Sequence, residues 1–316
     1  PSKPYDPETN PVKTDLNGLD PEGLAALDDG TFWISDEYGP HLVHYDAQGV
    51  EIERINPFST DTRNTVTVEG KTLLLPAEFA KRRTNRGMES LTITPDQTTL
   101  VGLMESSMDN PDQQGRKSTL TRLVTVNLVT GKIAQYLCRL EAVNHVNSAL
   151  AAISEQQFYV AEHDREFPWQ QPSAKKLIYK IDLAKATNIN DFEGVTENAE
   201  KSDLSVTLTQ DEQLGLLING VTLEQLIAED EKNWQLLAKL GIHPVEKTLA
   251  VDVLATVDYP HDKLEGIWLR QDGSIGLLND DDFAMNDSDK GVEHKYLDAD
   301  KTVIDGNRLY VVVPKV

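Results

Sequence analysis

The sequence predicts an all-β fold, a β-propeller of about six blades, and three observations predict it. Short apolar or alternating runs recur between Gly, Asp and Asn residues, one hairpin-like unit repeats, and a single stretch near 222–240 departs from the pattern. The runs cover residues 31–35, 41–45, 99–103, 123–127, 157–161, 177–181, 274–278 and 308–312. Segments this short, rich in β-branched, aliphatic and aromatic residues and bounded by turn formers, make strands.

The repeat is the stronger observation. Asp20-Pro-Glu-Gly-Leu24 leads to Phe32-Trp-Ile-Ser-Asp-Glu37, and Arg86-Gly-Met-Glu-Ser-Leu91 leads to Leu100-Val-Gly-Leu-Met-Glu105. Lys263-Leu-Glu-Gly-Ile267 leads to Ile275-Gly-Leu-Leu-Asn-Asp280, and a weaker copy, Val146-Asn-Ser-Ala-Leu150, leads to Phe158-Tyr-Val-Ala-Glu162. Each copy is a β-hairpin, with a carboxylate at both open ends in the three full copies and at the trailing end, Glu162, in the weaker one. The starts fall at 22, 89, 147 and 265, so the intervals are 67, 58 and 118. The last is about twice the others and predicts one more copy between. Hairpin repeats of about 50–60 residues are the signature of a propeller.

The departing stretch has apolar residues at 223, 226, 227, 234, 237 and 240, a helical stripe. Thr222 with Gln225 suits a capping box and Gly241 the position after the last turn, so one helix inserted in a blade connection is expected, with Trp234 as its packing anchor. Residues 1–15, with four prolines, read as an extended lead-in. Residues 16–316 read as a single domain.

Composition narrows the function. With 316 residues and 39% hydrophobic content the chain can bury one large core. Lys and Arg number 30 against 52 Asp and Glu, a net charge of −22 that repels nucleic acids and anionic membrane surfaces. No apolar run approaches the ~18–20 residues of a membrane span, and the chain reads as a mature or trimmed soluble protein without an apolar leader. Cys138 is the one cysteine, which excludes an intramolecular disulfide and a CxxC metal site. Its apolar neighbours make it a buried small hydrophobe.

In a propeller the innermost strand of each blade lines the channel, so a residue at the same place in every repeat is carried to one ring. Glu22, Glu89 and Glu265 form the leading set. Asp36, Glu37, Glu105, Glu162, Asp164 and the acids at 280–282, Asp280 and Asp282 among them, form the trailing set. Many like charges at one mouth raise their own pKa values unless a cation compensates. Oxygen ligands without Cys or paired His favour Ca²⁺ over zinc. Local positive charge at Lys81-Arg-Arg83, Arg86 and Arg116, with Arg165, suits recognition of an anionic phosphoester beside such a mouth. His163 is a candidate general base. The absence of a Gly-x-Ser-x-Gly elbow excludes the α/β-hydrolase reading.

These motifs resemble the phytase-like domain family, with its esterase-like activity. The carrying residues are Asp20-Pro-Glu-Gly-Leu24, Phe32-Trp-Ile-Ser-Asp-Glu-Tyr-Gly39, Asn85-Arg-Gly-Met-Glu89, Leu264-Glu-Gly-Ile267 and Leu278-Asn-Asp-Asp-Asp-Phe283. The resemblance implies an exported, periplasmic or secreted bacterial propeller that hydrolyses phosphoesters. It carries over to Glu22, Asp36, Glu37, Arg86, Glu89, Glu162, Asp164, Glu265, Asp280 and Asp282. Three positions depart from the pattern: Ser90 where Gly is usual, His163 where Arg is expected, and Asn147-Ser148 where an acid is expected. The expected function is therefore Ca²⁺-dependent hydrolysis of a small phosphoester. The alternatives are a gluconolactonase-like lactonase or esterase, and a non-catalytic binding or scaffold propeller.

Overall fold

The structure, a computed structural model, describes residues 15, 17–192, 206–288 and 291–315. Among the described residues four antiparallel sheets carry the repeat. Sheet I runs β1 (Pro21–Ala26), β2 (Phe32–Asp36), β3 (Leu42–Tyr45) and β4 (Glu51–Ile55). After a small hairpin, β5 (Thr67–Val68) with β6 (Lys71–Thr72), sheet II runs β7 (Ser90–Ile93), β8 (Thr99–Leu103), β9 (Leu120–Asn127) and β10 (Ile133–Arg139). Sheet III takes β11 (Val146–Ala152), β12 (Gln157–His163) and β13 (Lys176–Asp182). An insertion containing β14 (Leu208–Asp211), β15 (Gly215–Ile218) and β16 (Val221–Thr222) precedes its outer strand, β17 (Glu246–Asp252). Sheet IV takes β18 (Gly266–Leu269) and β19 (Ile275–Leu278); beyond a hairpin of β20 (Met285–Ser288) and β21 (Gly291–His294) it is completed by β22 (Leu309–Val312). All eight sequence-predicted runs fall on strands.

Face-to-face stacking makes the arrangement propeller-like. Ala25, Trp33, Leu42 and Ile55 of sheet I pack on Leu91, Leu100, Val124 and Val126 of sheet II. The opposite face of sheet II gives Val101, Leu103, Leu123 and Cys138 to a core with Leu150, Phe158, Val160 and Ile181 of sheet III. Ala149, Ala161, Ile178 and Val251 of sheet III then meet Ile275, Leu277 and Val312 of sheet IV. Side chains alternate across a strand, so Leu100 faces one neighbour and Val101 the other. A sheet covered on both faces therefore needs consecutive apolar residues, which is how Leu100-Val-Gly-Leu103 reads. Cys138 is buried as expected, and burial pushes its thiol up to about 11. The outward faces of sheets I and IV leave Leu24, Trp268, Leu278, Leu309 and Val311 exposed.

Among the described residues the sheets bearing the repeat are four, where length alone suggested about six blades. The 118-residue interval holds no further copy among the described residues; the insertion between β13 and β17 occupies it. The expected single helix is two, α1 (Leu223–Glu229) and α2 (Asn233–Lys239). Thr222 caps α1 by accepting from Gln225 N at 3.3 Å. Asp230 takes the Lys232 N–H at 2.9 Å and Asn233 Nδ2 donates to the Leu226 carbonyl at 2.7 Å, which ends the first helix. Trp234 packs against Leu120 and Leu137 of sheet II, the anchoring role expected of it. Arg122 on β9 is fully buried and binds Glu224 of α1, so an ion pair locks the insertion to sheet II. The expected lead-in over residues 1–15 lies, Asp15 apart, outside the described residues.

Candidate active site at the inner strands

Four equivalent triplets at the inner strands line one cavity of about 120 Å³: Glu22-Gly-Leu24, Glu89-Ser-Leu91, Ser148-Ala-Leu150 and Glu265-Gly-Ile267. The leading glutamates thus come from three different sheets. Glycine at 23 is a packing requirement, because a Cβ there would overlap the Leu91 backbone nitrogen of the neighbouring sheet. The third triplet begins at Ser148, one residue later than the hairpin alignment placed it. A register shift between Asn147 and Ala149 turns Ser148 inward, where its Oγ donates to the Leu264 carbonyl beside Glu265.

From the trailing set, Glu37 and Glu105 join the ring. Glu37 N donates to the Asp20 carbonyl at 3.0 Å, and Glu105 N to the Gly87 carbonyl at 2.9 Å, so each acid is tied to the start of its own sheet. Oxygens of Glu37, Glu89 and Glu105 lie within 4.8 Å of one another, as do those of Asp20, Glu22 and Glu37. Glu105 is fully buried. Its Oε1 accepts from both Arg86 and Arg165, while Oε2 is buried with no hydrogen-bond partner among the described residues.

This crowding acts on the charges. Burial, then Asp20 and Glu265, pushes Glu22 up to about 7. Burial, then Glu105 and Glu22, pushes Glu37 up to about 8. Burial, then Glu105 and Glu265, pushes Glu89 up to about 10. Burial also raises Glu105, against the pull of its two guanidinium partners.

The phytase-like profile, described as esterase-like activity of phytase, matches residues 5–283. The chain belongs to this family. A 115-residue stretch is also 32% identical to an uncharacterised secreted protein of Arthroderma benhamiae, a match spanning 31% of this chain and 22% of that protein. Among solved structures, a streptogramin B lyase covers 84% of this chain and 92% of its own at 11% identity, with a TM-score of 0.24. Among the described residues of this phytase-like chain, no helix is long and apolar enough to cross a membrane.

Several residues expected in the site of the phytase-like protein are committed elsewhere. Asp36 turns back to its own loop, accepting from Asp20 N at 2.8 Å and Tyr38 N at 3.3 Å. Glu162 is buried among Glu141 N at 2.9 Å, His145 Nδ1 at 2.7 Å and the Lys247 ammonium. Asp164 holds Lys176 Nζ at 2.8 Å and Lys175 N at 2.7 Å. Asp280 and Asp282 share Lys263, at 2.9 and 2.6 Å, and Asp282 also binds Lys295. Glu162, Asp164, Asp280 and Asp282 thus each have a lysine as the compensating charge, while Asp36 has backbone donors alone and burial still raises it. Arg116 forms a bidentate pair with Asp109, both contacts at 2.6 Å.

His163 does not sit as a general base. It is fully buried, and burial pushes its imidazole below the ordinary value. Nδ1 accepts from Arg165 N at 3.2 Å, which puts the ring proton on Nε2, 3.6 Å from Glu265 Oε1. Sequence reasoning missed Asp20. The residues two before Glu89 and Glu265 are Gly87 and Lys263, so no repeat pointed to an acid there.

Proposed function

We propose that this phytase-like protein is an exported, Ca²⁺-dependent hydrolase of small phosphoesters, acting at the ring of Glu22, Glu37, Glu89, Glu105 and Glu265. The observation that carries the reading is Glu105, whose buried Oε2 lacks a partner among the described residues beside Glu37 and Glu89. A buried carboxylate oxygen without a donor costs several kcal/mol unless something positive faces it. Calcium takes six to eight oxygens at about 2.3–2.6 Å, so oxygens within 4.8 Å of one another fit one coordination sphere. The donor set is carboxylate alone, the chemistry of a hard cation.

When bound, the cation balances these charges and polarises a phosphoryl oxygen. Arg86 and Arg165 each use one nitrogen on Glu105, and their side chains stay 23% and 33% exposed. Among the described residues neither guanidinium has a second hydrogen bond, and although Arg165 Nε is buried, their other terminal nitrogens are the groups that would take phosphate oxygens. Glu22, Glu89 and Glu265 line one cavity and would be the groups to take an attacking water's proton. Export is supported by the description of the Arthroderma benhamiae relative as secreted.

One observation favours a second reading, hydrolysis of carboxylic esters or lactones: both guanidiniums that would grip phosphate already hold Glu105. Aryl phosphates, phosphodiesters, inositol phosphates, aryl acetates and lactones, each assayed with Ca²⁺ and with EGTA, separate the two. Turnover of phosphoesters in Ca²⁺ alone is the expected result. Turnover confined to acetates or lactones moves the assignment to the second reading, and silence with bound calcium leaves a binding or scaffold propeller.

A further inference from the structure

We infer that His163 and Arg165, at the end of β12, position the carboxylates of Glu265 and Glu105 for cation binding, so that sheet III serves the site with donors where it lacks an acid of its own. The inference rests on the cation site proposed above. Sheet III lies between sheets II and IV, which carry Glu105 and Glu265, and its inner-strand triplet begins with Ser148 instead of glutamate. It reaches both neighbouring acids through one short turn.

The His163 ring is fully buried, and its Nδ1 is occupied by the Arg165 backbone N–H. Its Nε2–H has no hydrogen-bond partner within 3.5 Å among the described residues and lies 3.6 Å from Glu265 Oε1. Arg165 has φ +65°, a left-handed conformation uncommon outside glycine. That reversal brings its N–H onto the His163 ring and its guanidinium onto Glu105. Asp164 holds the turn from below through Glu166 N, Lys175 N and Lys176 Nζ. Ser148 Oγ adds a donor to the Leu264 carbonyl next to Glu265. Carboxylates that ligate a metal are commonly held by outer hydrogen bonds, as Arg165 holds Glu105, and the loss of such bonds weakens metal affinity 10–100-fold; the His163 ring, 3.6 Å from Glu265, is placed to complete one there.

Two measurements test this. Imidazole ¹⁵N–¹H spectra of the protein in EGTA at pH 7.5, with His163 assigned through His163→Gln, should show a neutral ring protonated on Nε2 whose signals move in Glu265→Gln. A proton on Nδ1, or signals untouched by Glu265→Gln, overturns the inference whether or not calcium binds. Calorimetric titration with CaCl₂ should show affinity about 10–100-fold weaker in His163→Leu and in Arg165→Met, with His163→Gln, which keeps a donor, close to wild type. His163→Leu that melts normally in EGTA and binds calcium as wild type does overturns it as well. Wild-type protein that takes up no calcium defeats the cation reading itself, and the imidazole spectra still decide the His163–Glu265 contact.

Discussion

Gly87 lies directly against Glu37: a Cβ added at Gly87 would overlap the Glu37 carbonyl oxygen. The same glycine accepts the Glu105 N–H at 2.9 Å, so one residue without a side chain sets the distance between two acids of the ring. The blocking atom is backbone and cannot rotate away. Gly87→Ala should therefore destabilise the fold by about 1–3 kcal/mol. Gly306→Ala, where a Cβ meets nothing within 4 Å, should change stability by less than about 0.5 kcal/mol. Urea denaturation of the two variants checks the contrast, and equal midpoints would refute it.

Stability should fall with rising pH in the absence of metal. Glu22, Glu37 and Glu89 are raised in the fold from 4.5 to about 7, 8 and 10. The fold thus favours their protonated forms. Their stabilising contribution is full below about pH 4.5 and is lost as pH rises through those values. Melting temperature in EGTA should drop between pH 5 and 9, and Glu89→Gln should flatten the slope. A slope unchanged by Glu89→Gln would separate the effect from the ring.

Calcium should displace protons. Burial and the neighbouring acids raise Glu37 and Glu89 to about 8 and 10, which favours their protonated forms at pH 7, and ligation requires the carboxylates. Calorimetry in buffers of different ionisation enthalpy should show net proton release at pH 7 that shrinks toward pH 9. Binding heats independent of the buffer contradict this.

The two arginine positions should behave differently. Arg86 joins the ring, and Arg86→Ala removes a charge-assisted contact of about 1.5–3 kcal/mol, so phosphoester turnover should fall about 10–150-fold. Arg116 is paired with Asp109, and Arg116→Ala should leave turnover within about two-fold. Steady-state kinetics in saturating calcium decides between them.

Breaking the buried ion pair between sheet II and the insertion should be costly. Arg122→Met leaves Glu224 and Glu78 without their guanidinium partner and should destabilise by about 3–5 kcal/mol. Arg122→Met with Glu224→Leu should recover part of that loss, because of the two acids only Glu78, which keeps the Gln135 amide at 2.8 Å, is then left without the guanidinium. Chemical denaturation of the single and double variants reads the difference.

The strands and the ring of leading glutamates were legible because their determinants are local. Alternation with a period of two and a hairpin flanked by acids are patterns within a few tens of residues, and repetition carries Glu22, Glu89 and Glu265 to one cavity. Ser148 was misaligned by one residue because a bulge changes register without changing composition. The sequence predicts one continuous helix at 222–240 because its apolar stripe runs on across the Asp230 break, which side-chain hydrogen bonds make.

By itself, then, the sequence determined the all-β class, the repeat, the acid-lined inner strands and the buried state of Cys138, since each follows from residue type and spacing. Which acids stay uncompensated was decided only in three dimensions. Glu162 meets Lys247 across 85 residues, and Glu105 meets Arg165 across 60. Asp164, Asp280 and Asp282 each found a lysine through sheet pairing and loop closure. A carboxylate's role depends on the nearest opposite charge and on the solvent it has lost, and both are set by the packing of segments far apart in the chain.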